Sequence, residues 1–159
     1  MTDSLGRSSK PFEPDERLQA SRAMIVAFAQ SHLEPGESVT AVLSSAVGPL
    51  SPLTPLIPLF GVAAMFTRWF RVYALVVTDR RLLQVRRGKI RPGRPHRLDS
   101  ATTLDRMALT NSVIGVKRGY LVLTIEDRIL KLHVVGRFVA EMPSLLAALD
   151  PTGKSAVSD

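Results

Sequence analysis

Cysteine is absent from the 159 residues, which excludes disulfides, thiolate nucleophiles and Cys-based zinc or iron–sulfur sites and fits a reducing compartment. Histidine is almost as scarce. His32, His96 and His133 lie far apart, and none has a second ligand at metal spacing, so no metal and no cofactor is expected. The chain contains no G-x-S-x-G, no Walker A loop, no G-x-G-x-x-G and no H-E-x-x-H. Asp79, Asp99, Asp105 and Asp127 each stand close to an arginine; turn and ion-pair roles suit them better than acid–base chemistry. The expectation is a protein that is not an enzyme. The N-terminal MTDSLGRSSKPFEPDER also lacks an apolar h-region, so no secretory signal is expected and the cytoplasm is the expected location.

Negative charge is missing from one place in particular. Residues 68–99 carry ten Lys/Arg against two Asp, a balance of +8, whereas 1–67 sum to −2 and 100–159 to +1. The overall +7 therefore belongs to one segment. Such a cluster on an otherwise near-neutral chain points to an anionic partner: a phospholipid surface, nucleic acid or an acidic protein. Apolar residues make up 45% of the chain, enough for a core and too many for a disordered protein.

The clearest structural signal is VYALVVTDRRLLQVRR, from Val72 to Arg87. Two β-rich runs, Val72–Thr78 and Leu82–Val85, flank a polar turn and predict a hairpin. A second hairpin is predicted from Tyr120–Ile125 and Ile129–Val135 around Glu126-Asp127-Arg128. Before these, a helix is expected from Pro14 to the stop at Glu34-Pro35-Gly36, with Leu18, Ile25, Phe28, Ala29 and Leu33 on one face. A first strand is expected over Glu37–Val47. His96–Asp99, Thr102–Leu109 and Val113–Val116 read as short strands. Phe138, Met142, Leu145 and Leu149 form a helical stripe that Pro143 either kinks or starts. Residues 1–13 and 150–159 read as disordered polar tails around one domain over 14–149.

Two further segments stand out. In 48–70, PLSPLTPLIPLF repeats Pro-Leu four times, the period of a polyproline II rod with leucines along one edge. This insertion between the first and second strands presents Leu50, Leu53, Leu56, Ile57, Leu59, Phe60, Phe66 and Trp69 as an apolar contact surface for a membrane or a partner. A single transmembrane span there is the less favoured reading, because the prolines break a helix and the remaining apolar run is short. Arg86–Arg97, RRGKIRPGRPHR, reads as a basic loop broken by glycine and proline.

The residues also resemble a known family. Val72–Val85, an apolar strand followed by Thr-Asp-Arg-Arg and Leu-Leu, is similar to the signature of bacterial pleckstrin-homology-like domains, the GRAM and YokE-type relatives. Glu34-Pro35-Gly36-Glu37 and the YLVLTI/ILKLHVV hairpin are similar too, so the resemblance spans roughly 14–149. It implies a mainly β, α+β fold: a barrel of about seven antiparallel strands in two near-orthogonal sheets, with an N-terminal helix and a C-terminal capping helix. The Pro/Leu insertion departs from the family pattern.

In an up-and-down meander, alternate connections emerge at the same end. The apolar connection after the first strand and the basic one after the third are thus expected at one rim. Its anion or lipid head-group contacts are expected to be Arg68, Arg71, Arg86, Arg87, Lys89, Arg91, Arg94 and Arg97. Arg80 and Arg81, in the hairpin turn, belong to the opposite end. The expected function is a non-catalytic module that binds an anionic membrane surface or a membrane-associated protein, peripheral at the inner face of the cell membrane. The alternative is a self-assembly module whose Pro/Leu segment packs in a homo-oligomer. Nucleic acid is the least favoured partner, since the basic loop has no aromatic platform.

Overall fold

The computed structural model describes residues 16–48, 71–88 and 94–150. Seven strands form one antiparallel sheet: β1 (Val39–Gly48), β2 (Arg71–Thr78), β3 (Arg81–Arg87), β4 (Pro95–Thr103), β5 (Met107–Ile114), β6 (Arg118–Ile125) and β7 (Arg128–Val135), in the order β4-β3-β2-β1-β7-β6-β5. Helix α1 (Glu16–Gln30) precedes the strands. A 3-10 segment, Gly136–Glu141, and helix α2 (Met142–Leu149) follow them. The described chain is mainly β with two helices, as the sequence predicts.

Strand order and connection length together fix the curvature. β4 and β5 are the two edges of the sheet, yet only Leu104–Arg106 join them. Seven flat strands about 4.8 Å apart would put those edges roughly 29 Å from each other, and three linking residues reach at most about 14 Å. The sheet therefore curls until its edges meet at that corner. The curl is also visible at the middle, where β1 and β7 pair only through Val47 and His133.

Curling gives the sheet an inside and an outside, and β2 is buried from both. Tyr73, Leu75 and Val77 point inward with Leu43, Leu121, Leu123, Leu132 and Leu145. Ala74 and Val76 point outward with Val42, Leu83 and Val85, and there Ile25 and Ala29 of α1 cover them. This explains why Val72–Thr78 is apolar without alternation. Met142 and Leu145 of α2, both fully buried, join the inner core. The approach is so close that a Cβ on Gly119 of β6 would stand 2.0 Å from the Met142 sulfur.

Several sequence boundaries shift. Thr102–Leu109 is not one strand: it spans the end of β4, the Leu104–Arg106 corner and the start of β5. The segment has no strict alternation, and the polar Asp105-Arg106 pair marks the corner. Val113–Val116 runs past the strand, since β5 ends at Ile114 and the Gly115 amide donates to the Arg118 carbonyl across the turn. Arg86–Arg97 is not wholly a loop, because Arg86 and Arg87 belong to β3 while Pro95, His96 and Arg97 begin β4. Proline is tolerated at Pro95 as the first residue of an edge strand. Pro143 falls in the first turn of α2, so the closing helix starts there and the stripe residue Phe138 lies in the 3-10 segment. The proposed tails and the 48–70 insertion fall outside the described residues, apart from Gly48 and Asp150, and so does the expected helix start at Pro14.

Candidate functional site

The two ends of the β2–β3 hairpin have different chemistry, and the turn end is spent on structure. The Thr78 hydroxyl accepts from the Arg81 amide at 2.9 Å and donates to the Glu37 carboxylate at 2.6 Å. Asp79 accepts from the Ser38 amide at 2.9 Å. Arg81 donates to both carboxylate oxygens of Glu37, each at 2.8 Å, and pairs with Glu34 at 3.1 Å. Gly36, at φ +78°, lets the chain turn between those two acids. The Arg81 guanidinium holds the Glu37 carboxyl at about 2, well below its ordinary 4.5, with help from Thr78. Thr-Asp-Arg-Arg and Glu-Pro-Gly-Glu, two segments that carry the resemblance, are thus locked to each other. Arg81 is committed to Glu37, Glu34 and the His32 carbonyl.

The other end gathers positive charge. Gly48 pairs with Arg71, and Arg87 with Pro95. The Gly88 amide donates to the Arg94 carbonyl at 3.2 Å. The residues that flank 49–70 and those that flank 89–93 are therefore at one end of adjacent strands. On the inner face of this end Tyr73, Arg86 and Arg97 form one cross-strand row, with Arg71 two residues before Tyr73. Arg71, Arg94 and Arg97 are exposed and Arg86 is half-buried. Arg97 pairs with Asp99 at 2.8 Å. A register shift between Gln84 and Val85 leaves Asp99 of β4 without an opposite residue in β3, and the resulting bulge re-aims it. Arg68, Lys89, Arg91 and the apolar set Leu50, Leu53, Leu56, Ile57, Leu59, Phe60, Phe66 and Trp69 lie outside the described residues.

Arg87 does not join this cluster. It alternates to the outer face, where it is 4% exposed beneath α1. Its guanidinium donates to the Ser44 carbonyl and, at 3.2 Å, to the Ser21 hydroxyl. On the other side of Ser44, the buried Glu141 accepts from the Ser44 amide at 2.5 Å and the Ser44 hydroxyl at 2.7 Å. Burial pushes the Glu141 carboxyl above its ordinary value and lowers Arg87 from its own. The pair brackets one residue of β1 and ties α1, the sheet and the start of α2 together. Its position removes Arg87 from any surface contact with an anion.

Inside the curl the β6–β7 hairpin faces β2–β4 across a cavity of about 600 Å³. Arg71, Arg97 and Arg128 line it with Asp99 and Glu126, and Gln84, Ser100 and Thr102 add neutral polar groups. Tyr73, Ile125 and Leu130 give it an apolar wall. Sequence reading finds Arg71 and Arg97 but misses Arg128, Asp99 and Gln84. No local signal marks them, because only closure of the edges brings 125–130 against β2–β4. His133, the remaining strand histidine, is half-buried with its ring centroid 4.8 Å from that of Tyr120, and burial lowers its basicity. Among the described residues no group of three His, Asp or Glu could hold a metal ion, and no helix is long and apolar enough to cross a membrane. No family model, curated protein or solved structure matches this chain.

Proposed function

We propose that the chain is a non-catalytic, pleckstrin-homology-like binding module, a barrel of two near-orthogonal sheets closed by α2. It associates peripherally with an anionic membrane surface, or with a protein held there, through the arginine end of β2–β4. The observation that carries this reading is the row Arg86–Arg97 with Arg71 beside it, all on strands whose ends flank both the Pro/Leu segment and the basic segment. Each cation near an anionic leaflet adds about 1 kcal/mol, and each leucine buried in the interface adds about 1.5–3 kcal/mol. Two or three of each give useful binding with no lipid-specific contact. Liposome co-sedimentation tests it. Wild-type protein is expected to pellet with anionic vesicles and stay in solution with zwitterionic ones; Leu53, Leu56 and Leu59 changed together to Asp are expected to abolish pelleting. Binding indifferent to lipid charge and to those substitutions would exclude the reading.

A further inference from the structure

We infer that the cavity between the inner face of β2–β4 and the β6–β7 hairpin is a site for a small phosphomonoester, held by Arg71 and Arg128. Charge bookkeeping carries the assignment. Of the charged groups that line the cavity, Arg97 is matched by Asp99 at 2.8 Å and Glu126 by Arg106 at 3.3 Å. Arg71 and Arg128 have no ion-pair partner among the described residues. Two unmatched guanidinium groups on opposite walls call for a dianion, and a phosphomonoester carries close to two negative charges at neutral pH. Its three terminal oxygens suit the paired donors of arginine.

The remaining lining says what the phosphate is attached to. Gln84, Ser100 and Thr102 offer neutral donors and acceptors, while Tyr73 and Leu130 give a flat apolar side. That mixture fits a hydroxyl-bearing carbon skeleton. A volume of about 600 Å³ has room for a sugar phosphate and lies in the usual range for small-molecule sites. The site deepens the surface-binding reading above by adding a pocket with defined chemistry, and it uses Arg128, which lies outside the arginine row.

The test is calorimetric titration of the full chain with glucose 6-phosphate, inorganic phosphate, glucose and succinate. Saturable binding of glucose 6-phosphate is expected, with weaker binding of inorganic phosphate and none of glucose. Arg128→Gln is expected to weaken glucose 6-phosphate binding by about tenfold, as loss of one charge-assisted bidentate contact does, and Arg128→Lys is expected to fall between. Circular dichroism melts check that each variant folds; should Arg128→Gln fail, Arg128→Lys decides. No saturable binding of either phosphate, succinate bound as tightly as glucose 6-phosphate, or folded Arg128 variants that bind like wild type would overturn the site.

A second arm separates the sources of the phosphate. Vesicles with phosphatidic acid, a lipid phosphomonoester, are compared with phosphatidylglycerol vesicles of equal surface charge. A preference for phosphatidic acid that Arg128→Gln removes assigns the ligand to a lipid; equal binding assigns it to a soluble metabolite. The two readings fail separately. Glucose 6-phosphate bound without any vesicle binding keeps the cavity and removes the membrane surface, whereas the converse keeps the surface and removes the cavity.

Discussion

Arg86 on β3 and Arg97 on β4 stand directly opposite each other across the ladder. Like charges at facing positions destabilise a sheet, by a few tenths to about 1 kcal/mol, and among the described residues Asp99 offsets the pair by its contact with Arg97. An arrangement that costs stability in the free protein is accounted for if an anion completes it.

Arg86→Gln follows directly from that relationship. It is expected to raise the melting temperature slightly or leave it unchanged, because a repulsion is removed. At the same time it is expected to weaken sedimentation with anionic vesicles by roughly fivefold, the equivalent of about 1 kcal/mol for one cation near the leaflet. Thermal melts and co-sedimentation on the same preparation check both halves.

Acid stability is expected to depend on Glu37. Its folded-state pKa of about 2 lies below the ordinary 4.5, so the stabilisation is fully present above pH 4.5 and is lost as pH falls towards 2. Two to three pKa units correspond to about 3 kcal/mol at most. Urea midpoints measured across that window should fall steeply for wild type and more gently for Glu37→Gln. Arg81→Met should be worse than either at neutral pH, by about 3–5 kcal/mol, since it strands a buried carboxylate.

Glu141 has the opposite sign. Burial raises its carboxyl above 4.5, so the contribution of its protonated form is present below that value and fades as pH rises through the raised one. Glu141→Gln keeps an acceptor for the Ser44 amide without a buried charge. Its urea midpoint is expected to match or exceed that of wild type at neutral pH, and the difference is expected to shrink on acidification.

Gly119 tests how α2 closes the inner core. An added methyl would meet the Met142 sulfur at 2.0 Å, so in Gly119→Ala the Met142 side chain must leave its present position in the buried core. A loss of about 1–3 kcal/mol is expected, and Gly119→Ala combined with Met142→Ala should recover part of it. Equal stability of Gly119→Ala and wild type in chemical denaturation would contradict the close packing.

Both hairpins were legible in the sequence because their turns are made by local chemistry. Thr78 folds its own turn, and the inward alternation of Leu130, Leu132 and Val134 fits β7. The meander rule also placed the ends of β1–β4 correctly, as the Gly48–Arg71 and Arg87–Pro95 pairs show. What local pattern could not supply is depth and closure. Arg87 reads like its neighbour Arg86, yet alternation sends it under α1, where its terminal nitrogens donate to the Ser44 carbonyl and the Ser21 hydroxyl. Arg128 reads as an ordinary turn cation, and only a three-residue corner between edge strands brings it to face Arg71.

Trp69, two residues before Arg71 in the sequence, is the single tryptophan of the chain, and its fluorescence tests the central claim most directly. On addition of anionic vesicles its emission is predicted to shift to the blue and to be quenched by bromine-labelled acyl chains. Both changes should weaken in high salt and in a variant with Arg71, Arg86 and Arg97 all changed to Gln. Emission that stays unshifted and unquenched at saturating anionic lipid would contradict the account.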